Sequence, residues 1–245
     1  MANWVAHSLL DGIRSESGPD AEPLPAGAGP GRPVSQSLPQ PAAARMAAVC
    51  PSAAITAHEH AVSVDFMRCV HCQRCRQPSG DLTWQDDAQW SAWAGAEPHP
   101  LPRRFRRSIH VRYLDAGACG ACMGEVRLLD APPYNLHRYG IFITATPRDA
   151  DVLLVAGPVT EAMRLPLRKT YEAMPEPKRV VTMGVCAING GVFGKSFACL
   201  GGVKEVLPVD LVIAGCPPSP LAIIQGLLQV AGQLHVEGGS AARKP

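Results

Sequence analysis

From residue 109 onward the chain alternates short apolar runs with longer stretches of amphipathic spacing. Residues 109–114, 140–144, 152–156, 179–183 and 211–214 are of strand length, several of them β-branched and apolar on successive positions. Residues 161–174 and 220–230 instead carry apolar side chains at helical spacing. Strands apolar on both faces, alternating with helices, predict a parallel sheet covered on both sides. The expected fold is α/β, a doubly wound parallel sheet of the flavodoxin-like kind, over residues 109–235.

Before residue 109 no such period is present. Residues 1–17 have the spacing of a short amphipathic helix through Trp4, Val5, Leu9, Leu10 and Ile13. The rest of the segment 1–41, from residue 18, is dense in glycine and proline and predicts an extended linker. Residues 42–80 hold four cysteines among apolar stretches too short for a core of their own, so a ferredoxin-like module is expected there, with a bound metal group supplying the missing cross-links. Residues 81–108 read as a connector with Trp84, Trp90 and Trp93. They also carry the basic run Arg103-Arg104-Phe105-Arg106-Arg107, which is either a solvated face or a contact to a partner or to anionic lipid. Residues 236–245 read as a flexible tail.

A chain of 245 residues accommodates such a small module beside a larger domain, and a hydrophobic fraction of 47% is enough for a sizeable core. The net charge of +2 and the 5% aromatic content, with no basic-aromatic interleaving, carry no sign of nucleic-acid binding. No apolar run approaches the roughly 18 residues of a membrane span. The start, Met1-Ala2-Asn3-Trp4-Val5, lacks a basic region and cleavage site, and Arg103-Arg104 lies mid-chain, so no export signal is expected. In a chain that is not exported, cysteines point to metal or redox chemistry rather than disulfides.

The nine cysteines stand at positions 50, 69, 72, 75, 119, 122, 186, 199 and 216. In open parallel sheets, sites form just beyond the carboxyl ends of the strands. Cys119 and Cys122 follow the first expected strand, Cys186 the fourth and Cys216 the last, so four thiols distant in sequence are expected at one sheet edge. Glycines flank each of them, which lets backbone approach a cluster closely and turn amide N–H groups toward its sulfides. Four thiolates suit a 4Fe–4S cluster; zinc is the rival, and unligated buried thiols are the blander reading. Cys199 is expected as a buried apolar thiol.

Several ordered motifs here resemble one family. They are Asp115-Ala-Gly-Ala-Cys119-Gly-Ala-Cys122-Met-Gly-Glu125, His137-Arg138-Tyr-Gly140, Asp151-Val-Leu-Leu-Val-Ala-Gly157-Pro-Val, Pro175-Glu-Pro-Lys178, and Pro208-Val-Asp210 through Gly215-Cys216-Pro-Pro218. Residues 109–230 resemble the small iron–sulfur subunit shared by complex I (its 20 kDa subunit) and the group 4 membrane-bound nickel–iron hydrogenases, formate hydrogenlyase among them. The separated pair Cys119-Gly-Ala-Cys122, in place of two adjacent cysteines, is similar to the hydrogenase side. The resemblance implies that Cys119, Cys122, Cys186 and Cys216 ligate one 4Fe–4S cluster. It implies proton movement or tuning for Glu125, for which a helix N-terminal charge is the alternative. It also implies hydrogen bonds near the cluster from His137 and Arg138. Ser219 stands where relatives often have arginine.

The run Cys69-Val-His-Cys72-Gln-Arg-Cys75 has the C-x₂-C-x₂-C spacing of bacterial ferredoxins, and Cys50-Pro51 resembles the Cys-Pro that closes such a motif. Where a second cluster would need ligands, the chain has Gln40, Ala43, Met46 and Ser79. The segment therefore resembles a two-cluster ferredoxin reduced to one cluster, held by Cys50, Cys69, Cys72 and Cys75, with zinc again the rival. His71 is expected as an exposed neighbour of the ligands.

Two 4Fe–4S clusters in one chain imply an electron relay between the ferredoxin-type cluster and a proximal one next to a large catalytic partner, nickel–iron hydrogenase-like or complex I-like. The chain has no nucleotide fingerprint, no substrate-pocket motif and no nickel-ligating pair of C-x₂-C motifs. It is therefore expected as the iron–sulfur subunit of an oxidoreductase complex, without a complete catalytic centre. Other iron–sulfur subunits and membrane subunits are the further expected partners, with membrane contact only through them. The expected location is cytoplasmic, peripheral on the inner face of the cell membrane. The alternatives are the corresponding 20 kDa component of an NADH or ferredoxin:quinone oxidoreductase, and a zinc-stabilised assembly protein without redox activity.

Overall fold

The computed structural model describes residues 31–76 and 82–234. The expected helix over 1–17, Ser79 and the tail from 236 lie outside the described residues.

The larger sheet has six strands in the order β6–β11–β10–β9–β7–β8. These are β6 (Ser91–Trp93), β7 (Ile109–Asp115), β8 (Ile141–Ile143), β9 (Val152–Ala156), β10 (Arg179–Met183) and β11 (Leu211–Ile213). The strands β7 to β11 run parallel, and β6 adds to β11 as an antiparallel edge. Numbered along the chain, the parallel strands stand 2-1-3-4-5, the flavodoxin-like order, whose reversal point lies between β7 and β9. Two apolar cores flank the sheet because alternate side chains of each strand point to opposite faces. Val152, Leu154 and Ala156 of β9 enter one core, and Leu153 and Val155 the other.

Helices cover both faces. In this domain α2 (Ala121–Leu128) follows β7, α3 (Glu161–Ala173) follows β9, α4 (Val185–Asn189) follows β10, and α5 (Pro220–Val230) follows β11. α5 is capped by the Ser219 hydroxyl, which accepts the Ala222 N–H, and opens with Pro220, whose fixed φ suits a first turn. Ser219 is thus a helix cap. Among the described residues, no helix is long and apolar enough to cross a membrane.

The smaller module is built around α1 (Gln40–Val49), which packs on a three-stranded antiparallel sheet. That sheet has the order β2 (Gln36–Ser37), β4 (Ala61–Val64), β3 (Ile55–Ala57). Its core is small: Leu38, Ala42, Ala43, Met46, Ile55, Val62, Cys75 and Leu82.

The linker expected to run to residue 41 ends earlier, since β1 (Arg32–Pro33) and β2 lie within it and α1 begins at Gln40. Prolines fit here because two-residue edge strands lose little from a missing N–H and Pro41 falls in the first turn of α1. The expected connector over 81–108 is likewise divided between the two modules. β5 (Trp84–Gln85) pairs with β1, an arrangement fastened by Arg32 on the buried Asp87 carboxylate at 2.8 Å. β6 joins the large sheet, and Trp90, only 2% exposed, enters its core. Tryptophans bury too much apolar surface to be left in a solvated connector.

Candidate metal centres

The C-terminal cysteines are delivered by the loops and first helical turns that follow β7, β10 and β11. Asp115, closing β7, accepts the N–H groups of Gly117 at 2.8 Å and Ala118 at 2.6 Å through one carboxylate oxygen. This turn leads into Cys119, and Cys122 then falls in the first turn of α2. Gly184 alone separates β10 from α4, so Cys186 also lies in a first helical turn. The strand-end loops are stitched together. Gly184 donates to the Ile213 carbonyl (2.9 Å), Val185 to Gly215 (3.0 Å), and Ala116 to Ala156 (2.7 Å).

The result brings the four thiols within electrostatic range of one another. Burial, and after it Cys186, Cys216 and Cys119, together push the Cys122 thiol up to about 12. Cys186 is raised to about 11 by burial and then by Cys216 and Cys119, and Cys216 is raised as well. Cys199 also acts on Cys186, but it is half-buried beside Arg164 and Lys195 rather than enclosed in the core as its sequence context suggested.

Two glycines cradle this set. Gly184 has φ +86°, and a Cβ there would lie 2.9 Å from Cys122 Sγ; at Gly191, with φ +55°, it would lie 2.7 Å from Cys186 Sγ. Neither position admits a side chain without displacing a thiol.

In the small module, Cys50 caps the C-terminus of α1, Cys69 follows a 3₁₀ turn over Phe66–Arg68, and Cys75 sits in another over Arg74–Arg76. Cys50, Cys69, Cys72 and Cys75 line a single recess floored by Ile55 and Trp84. Burial raises the Cys69 thiol to about 11, an effect that the His71 backbone N–H opposes and the other three thiols reinforce. The Ala54 N–H donates to Cys50 Sγ at 3.2 Å.

These surroundings suit a multi-iron cluster: soft donors, glycine cradles and amides aimed at sulfur. Among the described residues, no group of three or more His, Cys, Asp or Glu side chains is drawn to the spacing of a single ion. With nothing bound, the raised thiols are neutral, so loading a metal group must release protons.

Glu125, one turn beyond Cys122 on α2, is half-buried and its carboxyl is raised by that burial. His137 and Arg138 are exposed on a 3₁₀ turn, Leu136–Tyr139, whose Leu136 is buried, and His137 Nε2 lies 3.5 Å from Asp130. The groups acting on Cys122 are the other three thiols of its set and Asp115.

Sequence reasoning missed what joins the two sets. His71 is half-buried, not exposed: it packs against Trp90 and Phe66 with ring centroids 5.2 and 5.4 Å away. Its Nδ1 accepts the backbone N–H of Cys216 at 3.2 Å. Asn189, at the end of α4, donates to the Met67 carbonyl at 3.0 Å and accepts the Gly191 N–H at 2.9 Å. Only the position of His71 between two cysteines hinted at such a contact.

Comparison with known proteins gives a consistent picture. The family described as NADH ubiquinone oxidoreductase, 20 Kd subunit, matches residues 119–230. The chain is 48% identical over 126 residues to an uncharacterized protein of Methanocaldococcus jannaschii, covering 51% of this chain and 84% of that one. It is 44% identical over 119 residues to an NADH-quinone oxidoreductase subunit of Citrifermentans bemidjiense, covering 49% and 69%. With formate hydrogenlyase subunit 7 of Escherichia coli K12 it shares 37% identity over 135 residues, 55% of this chain and only about half, 53%, of that protein. On these matches, whose core contains Cys119, Cys122, Cys186 and Cys216, the chain belongs to the family of the 20 kDa subunit of NADH:ubiquinone oxidoreductase.

Proposed function

We propose that this chain is an electron-transfer subunit of a membrane-associated, hydrogenase-like oxidoreductase complex. It relays electrons between a 4Fe–4S cluster held by Cys50, Cys69, Cys72 and Cys75 and a second held by Cys119, Cys122, Cys186 and Cys216. The observation that carries this reading is the gathering of eight thiols into two sets of four, each set coupled within itself and the two joined through His71. Bound clusters would supply reversible one-electron chemistry. The chain's own residues would hold them, half-bury Cys69 and Cys122, and aim the Ala54 and His71 N–H groups at sulfur. On this reading Glu125, half-buried one helical turn beyond Cys122, holds or passes a proton.

The partners on this reading are a large catalytic subunit next to the C-terminal set and further iron–sulfur and membrane subunits. Formate hydrogenlyase subunit 7 and the separated pair Cys119 and Cys122 favour the hydrogenase branch. The similarity to the NADH-quinone oxidoreductase subunit supports a second reading, in which the partner is a quinone reductase. Hydrogen evolution against quinone reduction by the complex purified with its partners separates the two. Metal analysis and electron paramagnetic resonance of the anaerobically purified chain test the shared core: about eight irons and two reducible signals are expected. Zinc without iron would leave only a non-redox, zinc-stabilised role.

The glycine cradle gives a sharper check. Gly184→Ala forces a Cβ to within 2.9 Å of Cys122 Sγ and is expected to remove at least half of the C-terminal cluster's reduced-state signal. Gly95→Ala, where an added Cβ meets nothing within 4 Å, serves as the control and is expected to leave both signals intact. Equal signals in the two variants would show that the cradle does not shape the site.

A further inference from the structure

His71 touches both cysteine sets. Its backbone N–H acts on the Cys69 thiol, and its side-chain Nδ1 accepts the N–H of Cys216 at 3.2 Å. The residue lies between Cys69 and Cys72 in sequence, so covalent chain continues from it to ligands of the N-terminal set. Across the hydrogen bond, the Cys216 backbone leads to a ligand of the C-terminal set. The route between the sets is covalent except at this one contact.

The surroundings hold it in place. The imidazole is packed by Phe66, Trp84 and Trp90, and Phe66 and Trp90 themselves meet edge to face at 5.3 Å. Nε2 is buried and makes no hydrogen bond among the described residues. Because Nδ1 is the acceptor, the ring must carry its proton on Nε2. The backbone of His71 is left-handed, with φ +51°. Such strain in a residue other than glycine persists where the surroundings over-determine it, and it clusters at functional positions.

We propose that His71 is a positioning residue that couples the two cysteine sets, its imidazole providing the hydrogen-bonded link along which an electron crosses from one site to the other. The inference rests on the two-cluster reading given above. In the step, one site loses a single electron and the other gains it. His71 is neither oxidised nor reduced, keeps its proton on Nε2, and no bond forms or breaks. What His71 contributes is a fixed bonded contact in place of a gap, and a fixed distance between the sets.

The test uses the full chain with both clusters loaded. A photoreductant injects one electron, and its equilibration between the two sites is followed spectroscopically, with iron content and paramagnetic signals as the loading check. His71→Gly keeps the left-handed backbone and removes the acceptor. His71→Phe keeps an aromatic ring against Trp90 and removes the acceptor. His71→Asn keeps both a tolerated left-handed backbone and an acceptor oxygen near the place of Nδ1. The glycine and phenylalanine variants are expected to slow equilibration severalfold with both clusters present, and the asparagine variant to stay near wild type. Unchanged exchange in a loaded glycine or phenylalanine variant overturns the proposal, and so does an asparagine variant that is as slow as they are or that loses a cluster. A wild-type chain without two clusters overturns the underlying reading instead, before any variant is compared.

Discussion

Replacing Cys186 by serine is expected to lower the iron of the anaerobically purified chain from about eight atoms to about four and to erase one of its two paramagnetic signals. The position is demanding for several reasons at once. Cys186 stands in the first turn of α4, a single glycine after β10, which holds its Sγ within reach of Cys119, Cys122 and Cys216. Gly191 leaves no room on its other side, with a Cβ there only 2.7 Å from Sγ. A serine oxygen is a harder and less polarizable donor than sulfur. The fold itself should survive, because two apolar cores on either face of the six-stranded sheet hold this domain together without the thiols. The variant should therefore keep its far-ultraviolet circular dichroism while losing half its iron. Full iron with both signals intact would remove Cys186 from the ligand set.

The large sheet was legible because its strands are apolar at successive positions: the expected 152–156 and 179–183 coincide with β9 and β10, and 220–230 with α5. A strand buried on both faces leaves this unbroken pattern, and tertiary context does not override it. The observed order of the parallel strands is the one the flavodoxin-like expectation carries, whereas the antiparallel edge β6 was not legible. β6 has three residues inside a tryptophan-rich stretch, and its partner β11 is far along the chain. The same limit hid β1 and β5, two-residue strands that exist only because each pairs with the other. Short pairings of this kind draw their stability from distant residues, which no local pattern records.

For the candidate site, strand-end placement, the ferredoxin-like spacing and the family resemblance set the eight cysteines proposed as ligands apart from Cys199. It could not reveal His71, since the contact to Cys216 joins residues 145 positions apart. The positions Gln40, Ala43 and Met46 are informative in a different way. Read as ligands missing from a second ferredoxin cluster, they fall on α1, where Ala43 and Met46 are fully buried in the small core. Apolar side chains occupy the helix face from which such ligands would project. The small module thus has packing at one end and, on the reading proposed here, a single cluster at the other.

That division makes the N-terminal lesion behave unlike the C-terminal one. Cys75→Ala is expected to remove the other half of the iron and, with it, the order of the small module. Residues 31–76 bury only a handful of apolar side chains, of which Cys75 is one, and three of the others are alanines. A core this small supplies no more than about 3–5 kcal/mol before further cross-links are counted. Where a metal group closes the module, its binding free energy is folding free energy. Losing about 3 kcal/mol corresponds to about a hundredfold fall in amide-exchange protection. The fall should be confined to α1 and the β2–β4–β3 sheet, while β9 and β10, buried on both faces of the large sheet, keep theirs. Hydrogen exchange read by mass spectrometry resolves the two regions in one sample. Protection in α1 that persists after half the iron is gone would mean that packing, not a cluster, holds the small module together.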